Sequence, residues 1–441
     1  MSFEFDERKR GNVSQQKIIA GIDVGSAKVT TIIASVGKKE EVDISGVSVV
    51  PSRGVRKGQI IDIDQAVQAI TESVEAAERM AGFAVSTAFV ALSGIHIESI
   101  NSKGVVAVAE PEVEITREDV KRVLESAQAI SLPSAREIIH VIPRNFIVDS
   151  QGGIKDPLGM TGVRLEAEAH LVSGSTTAIR NLTKCVNEIG IDVAGLVFSG
   201  VAASEAALSE TEKELGVCLV DIGAGTTDVC IFQEGALSFS SVLPVGANNV
   251  TNDLAIGLRV SLESAEKIKR FLAQEKPQPT LPGKEKVIRE SDEVNLASLG
   301  LSEGMRSISR KTVIDGIIRP RLNEIFMLVS AELKKSGFGG ATPAGVVLTG
   351  GGAETPGALT ACKRILSLPT RVGLPTGISG LIDEIEAPAY AASVGLILYG
   401  RRHGESQTVK FSLRSVGKFV ARLPVKGVAS KVIDFVKSFL P

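Results

Sequence analysis

Residues 215–237 read LGVCLVDIGAGTTDVCIFQEGAL. One apolar run enters the turn DIGAGTTD (221–228) and another leaves it, the pattern of two strands joined by a tight glycine hairpin. The stretch KIIAGIDVGSAKVTTIIASV (17–36) repeats that design around DVGSAKVT (23–30). A single DxG turn is common and says little. Two of them far apart in one chain imply a duplicated unit, in which each of two lobes supplies one hairpin. Glycine and small hydroxyl residues at such tips let backbone N–H groups approach phosphate oxygens, and Asp23 and Asp221 are placed to hold a hydrated divalent cation. Lys28 adds a point charge for a phosphate. A third piece, GVVLTGGGAETPG (345–357), is a strand running into a triple-glycine turn and a helix start, where a ribose or flat ring can lie against bare backbone.

Around these turns the chain divides by texture. Residues 1–16 are polar and read as a disordered arm, and the first lobe occupies 17–84, including a helix over IDQAVQAITESVEAAERMA that Gly82 ends. From 85 to 167 strand candidates (FVALSG, GVVAVA, NFIVDS) surround one helix with Thr116 as its N-cap, an inserted α+β unit. The first lobe continues over 168–197. The second lobe spans 198–256 and 313–378, with AASEAALSETEKELG as one helix and a cap at 257–312 between the two parts. Within that cap Glu275 to Ser302 reads as a mobile loop. Residues 379–400 return to the first lobe, and 401–413 form a linker to a tail at 414–441.

Composition supports this reading. A chain of 441 residues exceeds one hydrophobic core, and 44 glycines with 4% aromatics and no tryptophan suit α/β architecture. A formal net charge of −2 and few aromatics exclude a nucleic-acid platform. Cys185, Cys218, Cys230 and Cys362 lack C-x-x-C spacing and are expected as buried thiols. No apolar segment follows the first basic cluster, so the expected compartment is the cytosol.

The tail carries its own signal. On a wheel of about 100° per residue, Val425, Val428, Ala429, Val432, Ile433, Phe435, Val436, Phe439 and Leu440 share an arc of roughly 160°. Upstream, Val416, Phe419, Val420 and Leu423 repeat the i, i+3, i+4, i+7 spacing, with Pro424 between the pieces. Six cations (Arg414, Lys418, Arg422, Lys426, Lys431, Lys437) stand against Asp434 alone. An amphipathic helix with such a basic rim is expected to lie on an anionic membrane surface.

The order of these motifs resembles the actin, Hsp70 and sugar-kinase superfamily over residues 17–400. Within it the second hairpin, the triple-glycine turn, the insert and the tail resemble most closely the bacterial FtsA cell-division family. The resemblance implies an actin-like two-lobed fold, built from duplicated ribonuclease-H-like domains, with the inserted subdomain and a C-terminal amphipathic helix. It implies ATP and magnesium as cofactors. Gly25, Ser26 and Lys28 would contact phosphates from one side, and Gly223, Gly225, Thr226 and Thr227 from the other. Asp23 and Asp221 would order magnesium through water. Gly350, Gly351 and Gly352 would line adenosine, with Glu266, Lys269 and Arg310 flanking the base. The superfamily often has Glu-Pro where this chain has FSGVAAS (198–204), and a further glycine at Ala224, so the resemblance implies ATP binding with weak or no hydrolysis. The implied partners are the C-terminal peptide of FtsZ near Arg306 and Arg310, further copies of the chain in a filament, later division proteins on the insert, and the cytoplasmic membrane face at the division site. A small-molecule kinase or phosphohydrolase on the same fold, or a shape-determining actin homologue, is the competing assignment; the first has no use for the tail and the second lacks the insert.

Overall fold

The computed structural model describes residues 17–37, 40–108, 114–274 and 292–404. The first hairpin pairs Lys17–Val24 with Lys28–Val36, and the second pairs Val217–Ile222 with Thr227–Gln233, both antiparallel. A third antiparallel strand follows in each lobe, Val42–Pro51 in one and Ala236–Leu243 in the other. Two parallel strands then lie on the far side: Thr87–Leu92 and Asp192–Phe198 in the first lobe, Val346–Thr349 and Thr370–Val372 in the second. The same five-strand pattern therefore occurs twice, as the repeated turn predicts. Strands buried on both faces read as unbroken Val, Ile and Cys runs, because helices cover either side.

The segment FVALSG, assigned from sequence to the insert, is instead the central parallel strand Thr87–Leu92 of the first sheet, hydrogen-bonded to both neighbours. Its burial on two faces erases the polar alternation that would mark it as a lobe strand. The insert's own sheet runs Glu98–Ala107, Arg164–Ser175, Arg136–Val148, Gln151–Ile154, so it extends past 167 to Ser175. Its helix Arg117–Gln128 begins at Thr116, whose hydroxyl and Asp119 carboxylate cap each other's backbone N–H, a device worth about 1 kcal/mol. Helix Ile63–Ala81 ends as expected at left-handed Gly82.

The stretch AASEAALSETEKELG makes two helices rather than one. Ser199–Ala207 stops at extended Leu208, and Ser209 caps a second helix, Glu210–Leu215, through Glu212. Of the expected loop at Glu275–Ser302, residues 275–291 lie outside the described residues. The remainder is ordered: Glu293–Asn295 pairs with Ser307–Ser309, and a short helical turn follows at Ala297–Leu299. In the long helix that follows, Ile314–Ile318 widens to a π turn just before Arg319–Lys335, whose Pro320 has no N–H to donate. The expected linker begins late, since helix Ala391–His403 runs through Arg401 and Arg402. The arm at 1–16, the rest of the linker and the tail lie outside the described residues.

Two helices tie the lobes together. Ser199–Ala207 carries the chain from the first sheet toward the second and packs against Ala391–His403, which closes the first lobe. At their contact Gly395 leaves no room for a side chain, because a Cβ there would meet the Ala202 carbonyl. Ile22, Ile70, Val90, Val197 and Phe198 fill the first core, and Val220, Ile268, Ile325 and Phe326 the second. Each such fully buried side chain contributes about 1.5–3 kcal/mol. All four cysteines are buried and unpaired. The insert also reaches the second lobe. Ser99 Oγ donates to the Ser240 carbonyl (2.7 Å), and Asn101 Nδ2 to the Ser238 carbonyl (3.1 Å).

Candidate functional site

The two hairpin tips face one another across a cleft between the lobes. A Cβ on Gly225 would lie 3.0 Å from Ser26 Oγ and 3.1 Å from Lys57 Cα, so the second tip abuts the first lobe as closely as backbone permits. Ser26 Oγ accepts the Gly58 N–H at 3.0 Å, which locks the tight turn at Lys57–Gly58 beside both tips. The cleft holds about 1290 Å³, part of it open to solvent, ample for a nucleotide-sized ligand.

Most residues singled out from sequence meet there. Asp23, Gly25, Ser26 and Lys28 line one wall, and Asp221, Gly223, Gly225 and Thr226 the opposite one. Gly350, Gly351 and Gly352 form the far end, with Glu266 and Lys269 on helix Leu262–Gln274. Two do not belong. Thr227 is fully buried and its hydroxyl donates to the Val245 carbonyl at 2.8 Å, because strand alternation turns it away from the cleft. Arg310 lies outside the lining, and its guanidinium donates to the Leu272 carbonyl of that helix. Arg306 is exposed on the cap. Sequence reading missed Arg270, Asn248, Glu354 and Ser93 among the lining residues. Arg270 had a signal, being next to Lys269 on the same amphipathic helix. Ser93 had none, since its strand was placed in the insert.

Behind the lining sits Asp228, 4% exposed, whose carboxylate accepts the Ser93 hydroxyl at 2.8 and 3.1 Å from the other lobe. Burial pushes Asp228 well above the ordinary carboxylate range, neighbouring Asp221 adds to this, and Ser93 opposes it. Burial likewise raises Asp221 to about 7, with Asp23 reinforcing and Lys28 opposing. Asp23 is raised by burial, against the pull of Ser393, whose hydroxyl donates to it at 2.9 Å, and of Lys28. Lys28 is lowered to about 8 by burial, although Asp23 favours its charge, and its ammonium rests 3.2 Å from the centroid of the Tyr390 ring. Asp23, Asp221 and, behind them, Asp228 thus crowd around the Lys28 ammonium. At the opposite end charges balance locally. Lys269 Nζ meets Glu266 at 2.7 Å and Thr251 Oγ1 at 2.8 Å.

Among the described residues no three His, Cys, Asp or Glu side chains converge closely enough to cage a metal. A cation between Asp23 and Asp221 would therefore be held through its waters. No described helix is long and apolar enough to cross a membrane.

Comparison with known proteins places the chain. A family model described as "SHS2 domain inserted in FTSA" matches residues 94–173, and one described as "Cell division protein FtsA" matches 218–395. The cell division protein FtsA of Pseudomonas aeruginosa is 37% identical over 415 residues, covering 94% of this chain and 97% of that protein. The chain belongs to the FtsA family of cell division proteins. FtsA of Escherichia coli K12 is 35% identical over 420 residues (93% and 97% covered), and FtsA of Bacillus subtilis 36% over 413 (94% and 90%). Among solved structures, the PilM–PilN type IV pilus biogenesis complex aligns with a TM-score of 0.62 at 16% identity, over 87% of this chain and 98% of the other. MreB5 of Spiroplasma citri bound to AMPPNP aligns at 0.50 and 14% identity, over 92% and 98%. These two share the fold, which is actin-like. The first FtsA match begins at residue 94, consistent with Thr87–Leu92 lying in the lobe rather than the insert.

Proposed function

We propose that this FtsA-family chain binds ATP with magnesium between its two hairpins and uses that site to order itself as a membrane-bound adaptor in cell division. The observation that carries the reading is the meeting of the two tips, with Asp23 and Asp221 on either side of one cleft and Asp228 behind the lining. Three carboxyls gathered around Lys28 work against a triphosphate, although Lys269 and Arg270 also line the cleft. Magnesium, when bound, supplies the missing positive charge, and Asp23 and Asp221 orient its waters. Gly25 and Gly223 spend their N–H groups on the Lys28 and Thr226 carbonyls within the turns. The N–H groups at the tips, Ser26 and Ala27 on one side and Ala224 and Gly225 on the other, would therefore hold phosphate oxygens, and the bare backbone of Gly350–Gly352 would accommodate the nucleoside. The bound AMPPNP of the Spiroplasma neighbour supports the choice of nucleotide.

Binding rather than turnover is the proposed role. Ser199 faces the cleft where the superfamily often places a glutamate, so no carboxylate stands there to position the attacking water. Beyond the cleft, the family membership supports FtsZ as partner, tethered to the membrane through residues 414–441. Its C-terminal peptide would meet the cap near exposed Arg306, Arg259 and Ile256, while later division proteins use the insert and copies of the chain polymerise. Many weak tails on one filament would hold where a single one exchanges.

Calorimetric titration of ATP with and without magnesium tests the cleft. Asp221→Ala is expected to lower magnesium-dependent affinity about 100-fold, and unchanged affinity removes the assignment. Flotation with anionic liposomes tests the anchor, comparing the full chain with one ending at Gly404. Equal flotation rejects it.

A further inference from the structure

A second cavity, separate from the nucleotide cleft, opens where the insert, helix Ala391–His403 and the second lobe meet. It holds about 1030 Å³ including space open to solvent, and its walls include Ile139, Ile142, Phe232, Leu237 and Tyr399. His140 projects into it while 7% exposed. The ring's Nε2 accepts the Phe198 N–H at 2.9 Å, and burial first, then His403, lowers its pKa to about 4. A neutral imidazole that accepts at Nε2 must carry its proton on Nδ1. Among the described residues that Nδ1–H has no acceptor. The cavity thus combines apolar side chains with polar groups from Ser204, Glu205, Tyr399 and His403 and the His140 Nδ1–H, which suits an apolar side chain carried on a basic segment.

The chain itself offers such a segment. Helix Ala391–His403 ends on the rim, where His403 stacks on Tyr399 at 4.2 Å, and Lys17 Nζ holds the Gly404 carbonyl at 2.7 Å. Thirty-seven residues follow Gly404 (441 − 404). Residues 414–423 begin ten positions on, within a reach of about 33 Å, and carry Val416, Phe419, Val420 and Leu423 on one helical face. Tethering gives this nearer half of the tail an effective concentration of about 1 mM or more at the cavity. We propose that, away from lipid, residues 414–423 dock their apolar side chains in this cavity with Phe419 as the anchor, so that cavity and membrane compete for one segment. The docking itself does not depend on the anchor reading above. Only the effect of vesicles does.

The four native cysteines are buried, so Ile142→Cys adds one accessible thiol whose maleimide labelling reports the cavity. In the full chain labelling is expected to run about tenfold slower than in the chain ending at Gly404. Equal rates overturn the proposal. Phe419→Ser should restore fast labelling and Phe439→Ser should not, and the reverse pattern overturns the anchor. The slow rate should persist on twentyfold dilution, since dependence on concentration would mean that a second copy fills the site. Phosphatidylcholine vesicles with phosphatidylglycerol should speed labelling in the full chain. Slow labelling without flotation keeps the docking and rejects the membrane anchor. Hydrogen exchange across Ile139–Pro143 in the unsubstituted protein, slower in the full chain than in the truncated one, gives the same readout if Ile142→Cys disturbs folding.

Discussion

The two hairpins share a backbone and differ in charge. At the first tip Asp23 has Lys28 five residues on and the Ser393 hydroxyl against it. The second has no cation at the matching place; Asp221 is followed by Thr226, Thr227 and then a further carboxylate, Asp228. Help comes to it from the first lobe, through Lys28 at Asp221 and the Ser93 hydroxyl at Asp228. Duplication thus kept the geometry that lets N–H groups converge, while substitution made one tip nearly neutral and the other acidic. An acidic tip facing a triphosphate is useful only with a cation between them, and it holds the ligand-free protein under electrostatic strain.

That contrast is broken most severely through backbone. Gly350 has φ +79°, and a Cβ on it would lie 2.1 Å from Asp221 Oδ1 and 2.5 Å from the Ile222 carbonyl. Gly350→Val should therefore destabilise the protein by about 3 kcal/mol or more and abolish ATP binding. At the first tip, Gly25 is not left-handed, and its Cβ would meet only the Lys28 carbonyl at 2.9 Å. Gly25→Ala should cost about 1 kcal/mol. Urea denaturation of the two variants side by side measures the difference, and equal losses would show that the triple-glycine turn packed against Asp221 is no more constrained than the first tip.

Charge comes next. Below its unfolded value of 3.8 the Asp221 carboxyl is neutral in both states. As pH rises toward 7 the unfolded chain ionises while the folded cleft keeps the proton, so the folded state binds more protons and stability falls. The loss, about 1.4 kcal/mol per unit at most, is complete once pH passes the folded pKa of about 7. Asp221→Asn should flatten that decline in the ligand-free protein while weakening ATP binding, and thermal melts from pH 4 to 8 read it directly. A wild-type melting temperature that climbs over this range would contradict the strained-tip argument. On the other side of the cleft, Lys28→Met should weaken ATP about tenfold, with the wild-type affinity falling above pH 8 as the ammonium loses its proton.

What was legible from sequence followed the same division. Both hairpins, the triple-glycine turn and the capped helices at Ile63–Ala81 and Arg117–Gln128 announce themselves locally, because glycine turns and caps are decided within a few residues. Strand Thr87–Leu92 was assigned to the wrong unit, since membership of a sheet depends on partners more than a hundred positions away at Asp192–Phe198. Thr227 was misjudged for a subtler reason. The motif marks the turn, but a one-residue step along the strand decides which face a hydroxyl takes. Asp228, one step further, lies behind the cleft with its carboxylate on Ser93, a partner that nothing in the local motif announces.

Ser93 supplies the smallest and most specific test, because it is the point where the first lobe compensates the second. Ser93→Ala removes the hydroxyl that donates to both oxygens of Asp228. The carboxyl, raised already by burial and by Asp221, then rises further. In its protonated form the acid loses one ordinary hydrogen bond, worth about 1 kcal/mol. Past its folded pKa wild type stops losing stability with pH, whereas the variant, its carboxyl raised further, goes on losing it. The gap between the two should therefore widen as pH rises, and differential scanning calorimetry over a pH series measures it. A gap that narrows instead would mean that the Asp228 charge is stabilised by groups other than Ser93, and the second tip would no longer depend on the first lobe for its balance.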